Sequence, residues 1–373
     1  MAKEYGVVSV IGPRQSGKTT LVKKYFPHHE YFNLENPSTL TFVEKDPKNF
    51  IESVKKGIII DEIQKYPELL SYIQVAIDEG YSPAKYVLTG SQNLLLSEKV
   101  SQSLAGRVGI LELLPLTISE MQNVKILSKN HLELILKGSY PRLYDKKQTV
   151  SVFYSNYLNT YVERDVRSIK NVEDLNAFRK FLQLLAGRVG QVLNLNELGG
   201  ILGLDNKTAK SWISVLEASY IIFLLQPYHK NFGKRLIKSP KIYFVDTGLA
   251  SYLLGLDSVK ELETHFTVGH LFENLIISDF LKRKANSLKT TRFYFTQDSK
   301  GFEINLILDY GTEKLPLEIK LSKTFKENFL KNINVFKKLS DIEKGALIFT
   351  GESIKEIEDN RVLNYVDIND IKI

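Results

Sequence analysis

The chain has 373 residues, of which 43% are apolar and 25% are charged, as expected for a globular protein of two or three domains. No stretch approaches the roughly eighteen uninterrupted apolar residues that a membrane-spanning helix requires, so we expect no membrane partner. The absence of cysteine excludes disulfides and thiolate metal sites. Together with a first strand that leaves no room for an export signal, it predicts a cytoplasmic location.

The charge balance is mildly basic, with 50 Lys and Arg against 43 Asp and Glu and a net charge of +7. Such an excess permits contact with nucleic acid or with an acidic partner, but a solvated lysine-rich surface explains it equally well. The positions of the basic clusters are therefore more informative than their sum.

The first element is an apolar strand, residues 7–11, followed by a glycine-containing loop and a helix. The loop matches the pattern Gly-x-x-x-x-Gly-Lys-Thr in the strand–loop–helix context that a phosphate-binding loop requires. Its glycines allow successive backbone N–H groups to point at a phosphate chain, and the helix adds its positive end. We expect Lys18 to reach the β- and γ-phosphates and the Thr19 hydroxyl to bind Mg²⁺. The predicted nucleotide-binding residues are Gly12, Pro13, Arg14, Gln15, Ser16, Gly17, Lys18, Thr19 and Thr20.

A second apolar strand, with the sequence GIII at residues 57–60, ends in Asp61 and Glu62. A run of isoleucines is typical of a buried parallel strand, and the carboxyl ends of such strands face the ligand crevice. An acidic pair after a strand can also be a helix N-cap. Behind a phosphate-binding loop it predicts a Walker B motif, in which Asp61 holds Mg²⁺ through water and Glu62 activates the attacking water.

Two further catalytic candidates follow along the chain. Ser91 comes at the end of the apolar segment YVLTG and can orient water or sense the γ-phosphate, or it can satisfy a turn. Arg107 stands just before another strand. Near the γ-phosphate of its own or a neighbouring subunit, its charge would stabilise the transition state.

The chain resembles the bacterial and archaeal AAA-type ATPases that carry a C-terminal domain of unknown function. The resemblance covers nearly the whole chain and depends on GPRQSGKTTL, YFNLENP, IIIDEIQ, LTGS, SLAGRV and LELLPL in the first half, and on NTYVERDVRSI, KIYFVDTGLASYLLG, GHLFENLI and LEIK in the second. It implies an α/β fold with three parts: a P-loop ATPase domain with an AAA-type parallel sheet (1–145), a helical and winged-helix domain (146–258), and a restriction-endonuclease-like α/β domain (259–373). The implied cofactors are ATP and Mg²⁺.

The middle of the chain is typical of a helix, a glycine-containing turn and a second helix that Asp205 or Asn206 can cap. The exposed face of the second helix offers Lys207 and Lys210, and residues 226–245 hold five basic residues and no acid. A basic wing beside a helix–turn–helix predicts contact with double-stranded DNA, while a module that only packs between the ATPase and the tail is the alternative. The wing residues predicted to contact DNA are Lys234, Arg235 and Lys238. A protein partner or a homo-oligomer is equally compatible with the sequence.

In the nuclease-like fold that the resemblance implies, the catalytic positions correspond to Glu273 on a helix, Asn305 on a strand, and Glu318 with Lys320 on the next strand. Such sites bind Mg²⁺ through clustered carboxylates. Asn305 stands where aspartate is usual. It removes one negative charge but keeps an amide oxygen, and Glu303, two residues earlier, can substitute. We therefore expect a nuclease-like scaffold that does not cut.

The predicted function is Mg²⁺-dependent hydrolysis of ATP to ADP and phosphate, coupled to the C-terminal module. ATP is favoured over GTP partly because no Asn-Lys-x-Asp guanine motif occurs. The alternatives are a nucleotide-gated regulator that binds DNA or protein with negligible turnover, and an ATP-dependent nuclease.

Overall fold

The computed structural model describes residues 1–80, 82–91, 104–145, 148–162, 174–228, 237–287 and 289–373. These residues form two compact units. The first contains residues 1–115 and 218–220, and the second contains residues 116–162, 174–217 and 221–373 within the described ranges. Lys234 and Arg235, which are predicted to contact DNA, lie outside the described residues.

The first unit is built on a five-stranded parallel sheet in the order β2-β3-β4-β1-β5. Its strands are β1 (Val7–Ile11), β2 (Glu30–Asn33), β3 (Ile58–Asp61), β4 (Tyr86–Gly90) and β5 (Val108–Glu112). Its helices are α1 (Lys18–Tyr25), α2 (Pro37–Lys45), α3 (Pro47–Glu52) and α4 (Leu69–Glu79), with a 3₁₀ turn over Ile63–Lys65.

The burial of this sheet explains why the apolar runs of the sequence form strands. Every residue of β1, β3 and β4 is buried, and apolar clusters cover both faces of the sheet. Because the strands are parallel, their carboxyl ends lie on the same side of the sheet. The loop after β1, the acidic pair at the end of β3 and Ser91 after β4 therefore lie close together there. The α/β fold class with a parallel P-loop-type sheet is confirmed.

The second unit begins with a helical region. Its helices are α5 (Ile118–Asn123), α6 (His131–Lys137), α7 (Arg142–Asp145), α8 (Val150–Tyr157) with a π-helical turn over Leu158–Val162, α9 (Leu175–Ala186), α10 (Leu195–Leu202), α11 (Asn206–Ala218), α12 (Thr247–Leu253), α13 (Val259–Thr264), α14 (Val268–Ser287) and α15 (Lys331–Ser340). Two 3₁₀ turns cover Glu327–Leu330 and Tyr365–Asp370.

A helix–turn–helix occupies the middle of the chain, as the sequence predicts. Helix α10 ends at Gly203, which adopts a left-handed conformation with φ of 67°. The Asp205 side chain caps α11 by accepting a hydrogen bond from the Thr208 backbone N–H at 2.8 Å. Trp212 of α11 packs edge-on against two phenylalanines of α9, Phe178 and Phe181, so apolar burial holds the second helix in place.

The second unit also contains a mixed eight-stranded sheet in the order β12-β13-β11-β10-β9-β8-β6-β7. Its strands are β6 (Ile222–Pro227), β7 (Lys241–Phe244), β8 (Arg292–Gln297), β9 (Glu303–Asp309), β10 (Lys314–Lys320), β11 (Gly345–Phe349), β12 (Ile354–Ile357) and β13 (Asn360–Asn364). Strand β6 pairs with β7 antiparallel and with β8 parallel, so strands on both sides of residue 258 share one sheet. The division of the chain into three domains with boundaries at residues 145 and 258 stays a prediction.

A buried polar network ties the helices of the second unit together. The Asp246 carboxylate, at the start of α12, accepts hydrogen bonds from the Ser139 backbone N–H at 2.7 Å and from the Tyr154 hydroxyl at 2.6 Å. Lys282 of α14 donates to the Ser139 hydroxyl at 2.7 Å. Buried charges are stable only when they are paired and hydrogen-bonded, so this network fixes the segments relative to one another.

None of the helices in the described part of the chain is both long enough and apolar enough to cross a bilayer.

Substituting Gly12 with alanine should destabilise the first unit. Gly12 has φ of +147°, and an added Cβ would lie 2.2 Å from the Leu113 carbonyl oxygen. We expect Gly12→Ala to lower the free energy of unfolding by about 2 kcal/mol or more, measured by urea denaturation with circular dichroism. Gly80→Ala is the matched control, because a Cβ there meets no atom within 4 Å. Equal stability of the two variants would contradict the predicted clash.

Candidate nucleotide-binding and hydrolysis site

The loop between β1 and α1 has the backbone shape of an anion cradle. Gln15 and Gly17 adopt left-handed conformations, with φ of 63° and 98°, and Gly12 has φ of 147°. Such turns direct successive backbone N–H groups into one concavity. The Ser16 hydroxyl is buried and has no hydrogen-bond partner among the described residues, which fits a donor that serves a ligand. These features suit a phosphate chain.

Lys18 is the first residue of α1, and its side chain folds back over the loop. Its ammonium group donates to the Gly12 carbonyl at 3.0 Å and to the Pro13 carbonyl at 2.8 Å, and the residue is only 6% exposed. Thr20 lies exposed in the same turn of the helix. The structure thus places a buried cation at the mouth of the cradle, and its contact with phosphate stays a prediction.

Asp61, at the end of β3, is held by hydroxyl groups from three other elements. One carboxylate oxygen accepts from Thr19 at 2.9 Å and from Tyr31 at 2.6 Å, and the other accepts from Thr89. Burial, reinforced by Asp61, raises the pKa of Tyr31 well above its ordinary value, so the phenol remains a donor. Thr19 and Asp61 adjoin, and their binding of magnesium stays a prediction. No role was predicted for Tyr31.

Glu62 follows Asp61 in a left-handed conformation, with φ of 58° and ψ of 47°. This conformation is uncommon for glutamate and occurs more often at functional sites. The carboxylate accepts hydrogen bonds from Gln64 and, at 3.4 Å, from the buried Ser91 hydroxyl. Burial raises the pKa of Glu62, and the nearby cations Arg14 and Lys18 oppose the rise.

The structure therefore brings Ser91 to the predicted base. No role was predicted for Gln64, although it is the last residue of IIIDEIQ, one of the segments that carry the resemblance. Arg14 of the loop forms an ion pair with Glu35, just after β2, at 3.6 Å. A residue that follows β2 thus also contacts the phosphate loop at the carboxyl ends of the strands.

Arg107 lies at the amino-terminal ends of the strands, whereas the phosphate loop lies at their carboxyl ends. Its carbonyl accepts from the Val7 N–H at the beginning of β1, whereas the loop follows the end of β1. The length of β5, about 16 Å, separates the two ends. The guanidinium forms a bidentate ion pair with Asp78, at 2.6 and 2.8 Å. This position excludes contact between Arg107 and a γ-phosphate bound to its own subunit. Contact with the γ-phosphate of a neighbouring subunit stays a prediction.

The tail residues that the resemblance singles out lie close together. Asn305 donates to the Glu273 carboxylate at 3.0 Å and accepts from the Ile319 backbone N–H at 2.9 Å. Lys320 pairs with one oxygen of Glu318 at 2.6 Å, and the other oxygen is buried without a hydrogen-bond partner among the described residues. Burial raises the pKa of Glu318 to about 7, against the opposing charge of Lys320.

A lysine from β7 completes this cluster. The Lys241 ammonium is buried and forms ion pairs with Glu303 and, at 3.4 Å, with Glu273. The Tyr243 hydroxyl donates to Glu273 at 2.5 Å. No role was predicted for these two residues, although both lie in the segment KIYFVDTGLASYLLG, because the basic stretch gives no sign that one of its lysines is buried.

The predicted DNA-contacting lysines within the described residues are on the surface. Lys207 and Lys210 are exposed on α11, and Lys238 is exposed shortly before β7.

Domain models match most of the chain. Residues 4–122 match an AAA domain, residues 128–260 match a domain of unknown function (DUF8612), and residues 268–368 match another domain of unknown function (DUF4143).

Similar proteins occur in bacteria and archaea. The uncharacterized protein Rv2008c of Mycobacterium tuberculosis is 31% identical over 323 residues, which cover 85% of this chain and 71% of that protein. The uncharacterized protein MJ1544 of Methanocaldococcus jannaschii is 24% identical over 359 residues, which cover 86% of this chain and 76% of that protein.

Among solved structures, the Walker-type ATPase PABY2304 of Pyrococcus abyssi is similar over 67% of this chain and 91% of that chain, with 13% sequence identity and a TM-score of 0.45. The sequence relatives and the domain models carry the assignment: the chain belongs to the prokaryotic family of AAA-type P-loop ATPases that carry the C-terminal domain of unknown function DUF4143.

Proposed function

We propose that this protein binds ATP with Mg²⁺ and hydrolyses it to ADP and phosphate, and that hydrolysis is coupled to its C-terminal module. The observation that carries this proposal is the 2.9 Å hydrogen bond between Thr19 and Asp61, which joins the end of the phosphate loop to the acidic strand. Lys18 and Glu62 flank this pair. Phosphate cradle, metal ligands and base thus meet at one edge of the sheet.

Each residue has a distinct task in this reaction. The loop N–H groups and Lys18 bind the phosphate chain, and Thr19 and Asp61 are the residues that would hold magnesium, which neutralises charge on the phosphates. The hydroxyls of Tyr31 and Thr89 fix the orientation of the Asp61 carboxylate, as groups that support metal ligands do. Glu62 accepts a proton from the attacking water.

We also propose that the C-terminal module is a nuclease-like scaffold that does not cut. Its acidic cluster already contains a cation, since the Lys241 ammonium lies between Glu273 and Glu303. A divalent ion would have to displace that ammonium from a buried position. Asn305 supplies a neutral amide oxygen where a carboxylate is usual, and one lone pair of that oxygen already accepts the Ile319 N–H.

A regulator that binds DNA under nucleotide control is the second candidate. The features that favour it are the helix–turn–helix and three exposed lysines, Lys207, Lys210 and Lys238. With the antiparallel strands β6 and β7 behind α11, this region has the element order of a winged helix.

Single substitutions at Lys18 and Glu62 should affect ATP binding and ATP hydrolysis differently. We expect Lys18→Ala to abolish Mg–ATP binding in calorimetry, because the phosphates lose their buried cation. Glu62→Gln keeps the shape of the side chain but not its basicity, so binding should persist while phosphate release falls about 10²- to 10⁴-fold. Glu68→Gln, which changes an exposed carboxyl in the same unit, is the control. Undiminished turnover by Glu62→Gln would exclude that residue as the base.

The buried carboxyl of Glu318 should make the second unit less stable as the pH rises. Its pKa in the folded protein, about 7, lies above the ordinary value of 4.5. The folded state therefore binds this proton more tightly than the unfolded state. The resulting stabilisation is complete below the ordinary value and is lost as the pH rises through about 7.

Between about pH 5 and pH 8, the unmodified protein should lose on the order of 2 kcal/mol relative to Glu318→Gln. Thermal unfolding followed by the fluorescence of Trp212, the single tryptophan, measures this difference in the same unit. Glu313→Gln, at an exposed position before β10, serves as control. A stability gap that does not change with pH would contradict the prediction.

If the helix–turn–helix binds DNA, the exposed lysines should set the salt dependence. Replacing Lys207, Lys210 and Lys238 together with alanine should weaken duplex binding and reduce the slope of log K against log salt by about one per lost phosphate contact. The control replaces three exposed lysines elsewhere in the unit, Lys326, Lys331 and Lys338. Fluorescence anisotropy with labelled duplexes over a salt series measures both. Absence of binding at low salt would eliminate this candidate.

A further inference from the structure

Gln64 lies beside the proposed base in a hydrogen-bonded group of three side chains. It belongs to the 3₁₀ turn that follows Glu62. Its amide nitrogen donates to the Glu62 carboxylate and, at 3.3 Å, to the Ser91 hydroxyl. Ser91 in turn donates to the same Glu62 oxygen at 3.4 Å. The side chains that close this triangle come from the ends of β3 and β4.

The other end of the Gln64 amide lacks a protein partner. Its carbonyl oxygen is buried and has no hydrogen-bond partner among the described residues. A buried acceptor left unsatisfied is destabilising, so such atoms usually serve a ligand or water. Because the same amide contacts Glu62, a donor that satisfies this oxygen would lie next to the base.

We propose that Gln64 is a positioning residue that orients the attacking water for Glu62. Its amide oxygen accepts a hydrogen bond from the water, and its amide nitrogen holds the Glu62 carboxylate in place. This inference rests on the proposed ATP hydrolysis. An amide does not titrate near neutral pH, so Gln64 aligns the reaction but takes no proton.

The bonds and protons of this step balance without any oxidant or reductant. The water oxygen forms a bond to the γ-phosphorus, and the bond from that phosphorus to the β–γ bridging oxygen breaks. The bridging oxygen leaves with the electron pair as part of ADP. One proton of the water moves to the Glu62 carboxylate and later to solvent, and Gln64 is unchanged.

The same contacts also suit the opposite role, in which Gln64 restrains Glu62 and keeps the site inactive. The two roles predict opposite effects on turnover. Removing a restraint raises kcat, whereas removing a positioning group lowers kcat and leaves nucleotide binding intact.

The test uses the full chain with Gln64→Met, which has similar length and no amide. We expect kcat for Mg–ATP to fall about a hundredfold, because misplacing water and base is costly, while KM and the calorimetric Kd for Mg–ATP change by less than about threefold. Lys65→Ala, at the next and exposed position of the same turn, should keep the parent kcat. An unchanged or raised kcat in Gln64→Met would overturn the inference.

A double-mutant cycle separates positioning from a general structural role. If Gln64 acts through Glu62, adding Gln64→Met to Glu62→Gln should lower the residual rate by less than about threefold. A further hundredfold loss there would overturn the inference. Gln64→Glu, which keeps an acceptor but places a second carboxylate beside Glu62, should also lower kcat, and it provides the test if the methionine variant does not fold.

Failure of this inference is distinguishable from failure of the proposed function. If the unmodified protein binds Mg–ATP but releases no phosphate, the proposed hydrolysis is wrong and the inference falls with it. If the unmodified protein hydrolyses ATP and Gln64→Met does so equally well, only the inference is wrong.

Discussion

The Asp61 carboxylate is the constraint on which the nucleotide site depends. It gathers hydroxyl groups from α1, β2 and β4 onto one buried acid at the end of β3. An ionised carboxylate in this position needs several donors to offset its lost hydration, and Thr19, Tyr31 and Thr89 supply them. Because each donor belongs to a different element, one side chain sets the relative positions of the phosphate loop and the strands that carry the proposed catalytic residues.

The sequence was sufficient to predict the parts of this site that follow local rules. The phosphate loop has a spacing imposed by backbone geometry, and the run before Asp61 is apolar because β3 is buried on both faces. The roles of Tyr31 and Gln64 were not predicted, although both residues lie in segments that carry the resemblance, YFNLENP and IIIDEIQ. Those roles depend on the lateral order of the strands and on the direction of one strained residue, Glu62, which a short motif does not specify.

In the second unit, the sequence predicted the helix–turn–helix correctly but did not predict which charged side chains are buried. The helix–turn–helix and the capping of α11 by Asp205 follow from turn chemistry, and the structure shows both. The burial of Lys241 does not follow from its sequence, since nothing in the composition of the segment distinguishes it from Lys238, which is exposed. Only the pairing of β6 with β8 brings β7, and with it this ammonium, into the sheet that carries Glu303.

That shared sheet has a consequence for how the protein can be divided experimentally. A fragment that stops at residue 258 would contain β6 without β8, and the complementary fragment would contain β8 without β6. Each piece would present unsatisfied strand-edge hydrogen-bonding groups, which favour aggregation or pairing with foreign strands. Cloning boundaries for the C-terminal half are therefore better chosen ahead of α5, so that the helix–turn–helix and the eight-stranded sheet are expressed as one piece.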